Sequence, residues 1–207
     1  LAWLEHRVCR GTTDGKVIAD DAKNGKRLWS TVIADASKGE SVPAAPIAWD
    51  GLVFVGNAGG DNKGVKGRMY ALDAKDSHIV WEFYLVPKET SDVARGPAAP
   101  DPKLAYANTW KAAKGFPITG GATWTSYSLD PKTGLLYIPS GNPGPDFLKE
   151  PRQGDSLFSS SVVILEAKTG AFQRHFQLVK RDFHDWDVSS PPVLFLSNKG
   201  HRMMAET

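Results

Sequence analysis

Apolar and polar positions along this chain fall into short runs with period two, and four of those runs repeat one another. The segments are "VIADDAKNGKRLW" from Val17, "MYALDAKDSHIVW" from Met69, "SYSLDPKTGLLYI" from Ser126 and "VVILEAKTGAFQR" from Val162. Each carries an apolar run, an acid (Asp21, Asp73, Asp130, Glu166), Ala-Lys or Pro-Lys, a turn pair and a second apolar run. Alternation, tight turn and returning alternation predict a β-hairpin. Asn24-Gly25, Thr133-Gly134 and Thr169-Gly170 supply a tip residue that tolerates positive φ, whereas Asp76-Ser77 is a weaker turn. The acids are 52, 57 and 36 residues apart, near the roughly 40 to 50 residues of a propeller blade. Stretches such as "VPAAPIAWDGLVFVGNAGG" and "GLLYIPSGNPGP" read as strands broken by Gly and Pro, and no window of helical period competes. The expectation is an all-β chain with about four hairpin-bearing sheets. A β-sandwich is the alternative; the shared acid and turn, with Trp29 and Trp81 each eight residues after their acid, argue against it.

Composition narrows the function classes. Lys and Arg total 25 against 23 Asp and Glu, and no basic run exists, so no nucleic-acid partner is expected. No apolar stretch approaches the roughly 18 to 20 residues of a membrane-spanning helix. The opening "LAWLEHRVCR" has no signal-peptide pattern. The single cysteine, Cys9, excludes an internal disulfide framework and a thiolate zinc cage.

Two features stand outside the repeat. Trp124 precedes Asp130 by six residues instead of following an acid by eight, so it is out of register with Trp29 and Trp81. In "RDFHDWDVSSPP", from Arg181, three aspartates, a histidine and a tryptophan are crowded before a double proline. That loop is either a polar structural corner or a device that delivers an acid into a site.

The repeated acid–Ala–Lys–turn–Trp pattern resembles the tryptophan-docking motif of the quinoprotein alcohol dehydrogenases, which use pyrroloquinoline quinone (PQQ) on an eight-bladed β-propeller. "VFVGNAGGDNKGVKGRMYALDAK", "GGATWTSYSLDPKTGLLYIPSGNPGPDF" and "DFHDWDVSSPPVLF" are similar to that family's motifs and occur in its order. The resemblance implies a partial propeller, with residues 1–207 forming one domain from the N-terminal half and the remaining blades elsewhere in a longer protein.

It also implies a site. PQQ is a flat quinone with three carboxylates, and Trp124 matches the floor on which it stacks. Asp61 and Asn142 match the oxygen ligands of a Ca²⁺ ion, with Asp61 one methylene shorter than the usual glutamate. Asp187 matches the aspartate that takes the substrate hydroxyl proton, and it is a further metal ligand. Asp182, His184 and Asp185 brace its loop, and Trp186 packs under it. Pro43, Ala58 and Ala122 stand where relatives often carry hydroxyls for the cofactor carboxylates. Thr123 and the backbone N–H groups of Gly59 and Gly60 are the substitute donors. Lanthanide-using relatives carry another aspartate where this chain has Ser189, so Ca²⁺ is expected.

The activity so implied is a periplasmic dehydrogenase that oxidises an alcohol or polyol and passes electrons to a cytochrome c or a quinone. Two alternatives remain. One is a non-catalytic propeller scaffold, which needs docking tryptophans but not Trp124, Asn142 and Asp187 together. The other is a dehydrogenase that has lost its cofactor.

Overall fold

The computed structural model describes residues 1–100, 106–111, 115–151 and 153–206. They form three four-stranded antiparallel sheets and a two-stranded one. The first sheet is β1 (Ala2–Leu4), β2 (Arg7–Gly11), β3 (Lys16–Asp21) and β4 (Arg27–Val32). The second is β5 (Ile47–Trp49), β6 (Leu52–Gly56), β7 (Arg68–Asp73) and β8 (Ile79–Tyr84). The third is β9 (Ser128–Asp130), β10 (Leu135–Pro139), β11 (Ser161–Glu166) and β12 (Phe172–Gln177), followed by the hairpin of β13 (Val193–Leu196) and β14 (Arg202–Ala205). Strands pair in chain order within every sheet, so each sheet is an up-and-down meander, the unit of a propeller blade.

The four repeats map onto these sheets unevenly. The first two are the outer hairpins of the first and second sheets, β3–β4 and β7–β8. The third and fourth belong to a single sheet, as β9–β10 and β11–β12. The expected number of hairpin-bearing sheets is present, but two repeats share one of them, and the fourth sheet, β13–β14, lies outside the repeats. The 36-residue spacing between Asp130 and Glu166 is a distance within one blade.

The repeated acid has a local cause. The side chains of Asp21, Asp73 and Asp130 accept the backbone N–H of the lysine two residues on, at 2.8, 2.7 and 3.0 Å. This Asx-turn holds the tip while the residue four on returns its N–H to the acid's carbonyl. Ser77 adopts φ +68°, close to the +71°, +67° and +71° of Gly25, Gly134 and Gly170. The second turn therefore has the same form as the others despite its serine, and Thr31 of the neighbouring sheet donates to the Ser77 hydroxyl at 2.5 Å.

The indoles join the sheets. Trp29 Nε1–H donates to the Ala74 carbonyl and Trp81 Nε1–H to the Ala167 carbonyl, both at 2.9 Å. Each acceptor is the alanine after the repeat's acid in the next blade. Gly170 is glycine for closeness as well as φ, because a Cβ there would lie 2.8 Å from the Trp81 ring. Two cores result. Trp29, Val53, Val55, Tyr70 and Leu72 fill the space between the first and second sheets. Phe54, Met69, Ala71, Trp81, Leu136, Ile138, Val163 and Leu165 fill that between the second and third. Successive residues of β6 and β7 serve opposite cores, so both faces of the second sheet are buried and its strands read as continuous apolar runs.

Candidate functional site

Four loops meet at one end of the sheets. One leaves β6 and carries Ala58 to Asp61; another leaves β10 and carries Asn142 and Asp146. The other two are the approaches to β9, with Ala122 and Trp124, and to β13, with Asp182 to Asp187. The first three are bound backbone to backbone: Gly67 N–H donates to Gly120 O, Gly121 N–H to Asn142 O, Gly141 N–H to Ala122 O and Thr123 N–H to Asn57 O, all at 2.8 to 3.0 Å. No side chain fits at the tightest crossing, where a Cβ on Gly67 would lie 1.7 Å from the Gly121 carbonyl oxygen. Fully buried Asn57 fixes the β6–β7 loop by accepting from Arg68 N–H at 2.7 Å and donating to Lys66 O at 3.0 Å.

The loops enclose a cleft of about 270 Å³ lined by Ala58, Gly59, Gly60, Asp61, Ala122, Trp124, Asn142, Asp185 and Asp187. Six of the seven residues singled out by sequence thus share one wall. Thr123 is the exception. It is fully buried behind that wall, its methyl against Gly56, and its hydroxyl has no partner among the described residues. The expected hydroxyl donor is therefore turned away from the cleft, because the backbone pairing with Asn57 faces it into the protein. Pro43 lies outside the lining, while Ala58 and Ala122 are part of it.

Asp187 is the most constrained group. One carboxylate oxygen accepts the Asn142 backbone N–H at 2.6 Å and the other the Trp124 Nε1–H at 2.7 Å. Burial pushes its pKa above the ordinary carboxylate value, these two hydrogen bonds oppose the rise, and Asp185 and Asp182 add to it by charge repulsion. Asp61 is raised as well, first by burial and then by the charges of Asp146, Asp187 and Asp185. Among the described residues, no Lys or Arg lines the cleft. The Asn142 side-chain nitrogen donates to Asp146, which leaves the amide oxygen as the atom not committed by that bond.

Trp124 keeps 39% of its surface exposed at the mouth, with its ring orientation fixed by Asp187. Opposite pairing is absent along the Gly59–Asp61 backbone: among the described residues, these three N–H groups donate to no protein acceptor. Oxygen donors without a counter-cation fit a hard divalent ion, and an exposed indole beside unpaired amides fits a flat ligand with carboxylates. Among the described residues, three acidic or imidazole ligand atoms fall within 4.8 Å of one another at Asp73, Asp76 and His78, on a hairpin tip outside the cleft. The cleft acids are thus spaced around a cavity and are not collapsed onto a point.

The loop bearing Asp187 differs in part from expectation. Asp182 is the brace: it is buried and accepts the N–H groups of His184 and Trp186 at 2.9 and 3.1 Å. His184 stacks between Phe183 and Trp186, with ring centroids 4.0 Å away on each side. Trp186 is 55% exposed and does not pack under the loop. Asp185 faces the cleft and does not serve as a brace; its spacing of two from Asp187 on a non-helical segment was the available signal. Asp146 was missed altogether, although it lies four residues after Asn142 in the same loop.

Gly141 sets the position of Asp187, since a Cβ there would meet its carboxylate oxygen at 2.6 Å. Gly141→Ala is expected to displace the carboxylate from the Trp124 Nε1–H, changing the tryptophan fluorescence spectrum while the far-UV circular dichroism spectrum stays unchanged. The two spectra recorded side by side check it.

Four-stranded meanders whose loops meet around a polar cleft define the class, part of a β-propeller. Comparison with known proteins narrows this. Residues 4–205 match the PQQ family described as "Glucose/ethanol/alcohol dehydrogenase, beta-propeller domain", and the chain belongs to that family. It is similar to quinohemoprotein alcohol dehydrogenase ADH IIB of Pseudomonas putida, 36% identical over 203 residues, 95% of this chain and 28% of that protein. The solved structure of quinohemoprotein alcohol dehydrogenase ADHIIG from Pseudomonas putida HK5 gives a TM-score of 0.81 at 32% identity, covering 96% of this chain and 29% of that one. A europium-containing methanol dehydrogenase gives a TM-score of 0.81 at 31% identity, covering 98% and 36%. The chain spans between a quarter and a third of the two Pseudomonas putida relatives.

Proposed function

We propose that this chain is part of a PQQ- and Ca²⁺-dependent dehydrogenase that oxidises an alcohol or other hydroxylated substrate, with Asp187 as the base. The observation that carries this reading is the seating of Asp187 between the Asn142 N–H and the Trp124 indole N–H, on the wall that also holds Asp61. Trp124 and the amides of Gly59 and Gly60 would hold PQQ; Asp61, Asn142 and Asp187 would hold Ca²⁺. When bound, PQQ supplies two-electron acceptance from the carbinol carbon and Ca²⁺ supplies Lewis acidity. The protein's own part is proton chemistry and positioning. Asp187 takes up the hydroxyl proton, and the burial that raises its proton affinity favours that transfer. The two hydrogen bonds fix both of its oxygens before substrate arrives.

Further parts of the reading concern the whole protein. Residues 1–207 form one portion of a single propeller domain whose other blades lie elsewhere in the protein. Electrons pass to a cytochrome c or a quinone; support comes from the relatives named quinohemoproteins and from lupanine 17-hydroxylase [cytochrome c] of a Pseudomonas species, 34% identical over 170 residues. The periplasm is the proposed compartment. Ser189 brings no negative charge where lanthanide-using relatives carry an aspartate, which supports Ca²⁺ over a trivalent ion.

A second reading, a dehydrogenase that has lost its cofactor, draws on Ala58 and Ala122 in the wall and on the buried Thr123 hydroxyl. One experiment separates them: the intact protein is supplied with PQQ and either Ca²⁺ or La³⁺, and dye reduction is followed over a panel of alcohols and sugars. Turnover with Ca²⁺ is expected. No turnover with any substrate overturns the reading, and La³⁺ outperforming Ca²⁺ overturns the metal.

A further inference from the structure

A second cavity, of about 280 Å³, shares no lining residue with the cleft. It is built from the β4–β5 connection, the β6–β7 loop running into β7, and the chain that follows β8. Four cations reach it: Lys38, Lys66, Arg68 and Arg95. Its acids are Asp35, Glu40 and Asp92, and each already has donors. Asp35 accepts the Ser37 N–H at 3.1 Å and the Ser37 hydroxyl at 2.6 Å. Glu40 accepts the Asp35 N–H at 2.7 Å and an Nη2–H of Arg68. Asp92 accepts the Glu89 N–H at 2.7 Å and pairs with Lys66 at 2.9 Å. The two acids behind the wall are engaged as well: Glu89 pairs with Lys66 at 2.7 Å, and Glu82 accepts the Tyr70 hydroxyl at 3.0 Å and the Arg95 backbone N–H at 3.2 Å. The donors are not matched in the same way. Arg68 is 6% exposed, yet its Nε–H meets no acceptor among the described residues. The Arg95 Nε is also buried without a partner, and among the described residues that side chain makes no hydrogen bond or ion pair. Two guanidinium groups with open N–H groups therefore line one cavity.

We infer that this cavity binds a small oxyanion, a carboxylate or a phosphate, between the guanidinium groups of Arg68 and Arg95. A guanidinium presents N–H groups in a fixed fork that matches two oxygens of such an anion. Glu40 occupies the Nη2 side of Arg68 and leaves its Nε side open, while Arg95 keeps its whole fork. Lys38 is exposed and stands 4.0 Å from Asp35, so it adds positive charge to the lining. Four cations against three acids favour an anion there, and the buried Nε–H groups gain the acceptors they lack. A metal cation does not fit, because what stays open in this cavity is donors and not acceptors. The site takes no residue from the cleft and is independent of the dehydrogenase reading.

The test is isothermal titration calorimetry on the intact protein at constant ionic strength, with inorganic phosphate and succinate as separate probes. Saturable binding at a single site is expected. Arg95→Gln is expected to weaken it about tenfold, the worth of one charge-assisted hydrogen bond, and Arg95→Lys to recover part of the loss, since an ammonium keeps the charge but lacks the fork. Arg95 is the residue to change because its side chain pairs with no acid among the described residues, whereas removing Arg68 would strand buried Glu40. An unchanged far-UV circular dichroism spectrum of Arg95→Gln shows that the fold is kept. Tighter binding of phosphate assigns the site to a phosphate-bearing ligand and tighter binding of succinate to a carboxylate; either supports the inference when Arg95→Gln weakens it. No saturable binding of either probe overturns the inference. Binding that Arg95→Gln leaves unmoved overturns it too, by placing the anion elsewhere on the protein.

Discussion

Asp187→Asn in the intact protein is expected to lower kcat by about 1,000-fold, within the range removed with a general base. An amide cannot take the substrate proton. It also has one acceptor where the carboxylate has two, so its NH₂ must face either the Asn142 N–H or the Trp124 Nε1–H. That donor–donor conflict costs about 1 to 3 kcal/mol and disturbs the site beyond the lost base. Trp124→Phe separates the contributions: it keeps an aromatic plate and the carboxylate but removes one N–H, and a loss of about tenfold is expected. Rapid-mixing and steady-state dye reduction check both, with the bound cofactor quantified by its absorbance. Full turnover by Asp187→Asn, with cofactor retained, removes Asp187 from the role of base.

The second large effect is structural. Trp81→Ala is expected to destabilise the protein by about 4 kcal/mol, because it empties a large aromatic from the core between the second and third sheets. Trp81 is 2% exposed, its ring centroid lies 6.2 Å from that of Phe54, and its N–H is bound to Ala167 O. Trp81→Phe loses the hydrogen bond and part of the area and is expected to cost about 1 to 2 kcal/mol, so packing outweighs the single bond. Trp29, 8% exposed and beside a first sheet whose Trp3, Leu28 and Val32 stay open, is expected to matter less. Shifts in the urea midpoint order Trp81→Ala, Trp81→Phe and Trp29→Ala. A Trp81→Ala midpoint matching wild type would refute docking by the indole.

Much of the fold was legible because its signals are local. Period-two alternation, the acid that closes each turn and the glycine at three of the four tips all act within five residues, and they located β3–β4, β7–β8, β9–β10 and β11–β12. Assignment of hairpins to sheets was not legible, since Asp130 and Glu166 begin similar turns whether their strands share a blade or not. Ser77 misled because its hydroxyl partner, Thr31, belongs to another blade. At the site, the resemblance pointed to Trp124 and Asp187, which both line the cleft, and broken register set Trp124 apart from the docking tryptophans. Thr123 failed because side-chain direction depends on a long-range backbone bond to Asn57, which adjacency in sequence does not encode. Asp185 lines the cleft, and Asp146 stands behind Asn142 and close enough to Asp61 to raise its pKa, through loops that meet only in three dimensions.

The seam of main chain around Gly67, Gly121 and Gly141 has a consequence for diversification. Where loops touch through peptide groups alone, there is no side chain whose exchange can retune the contact, and a single methyl added at Gly141 meets the Asp187 carboxylate. Drift at these positions is thereby closed off, and variation is left to the residues that surround them.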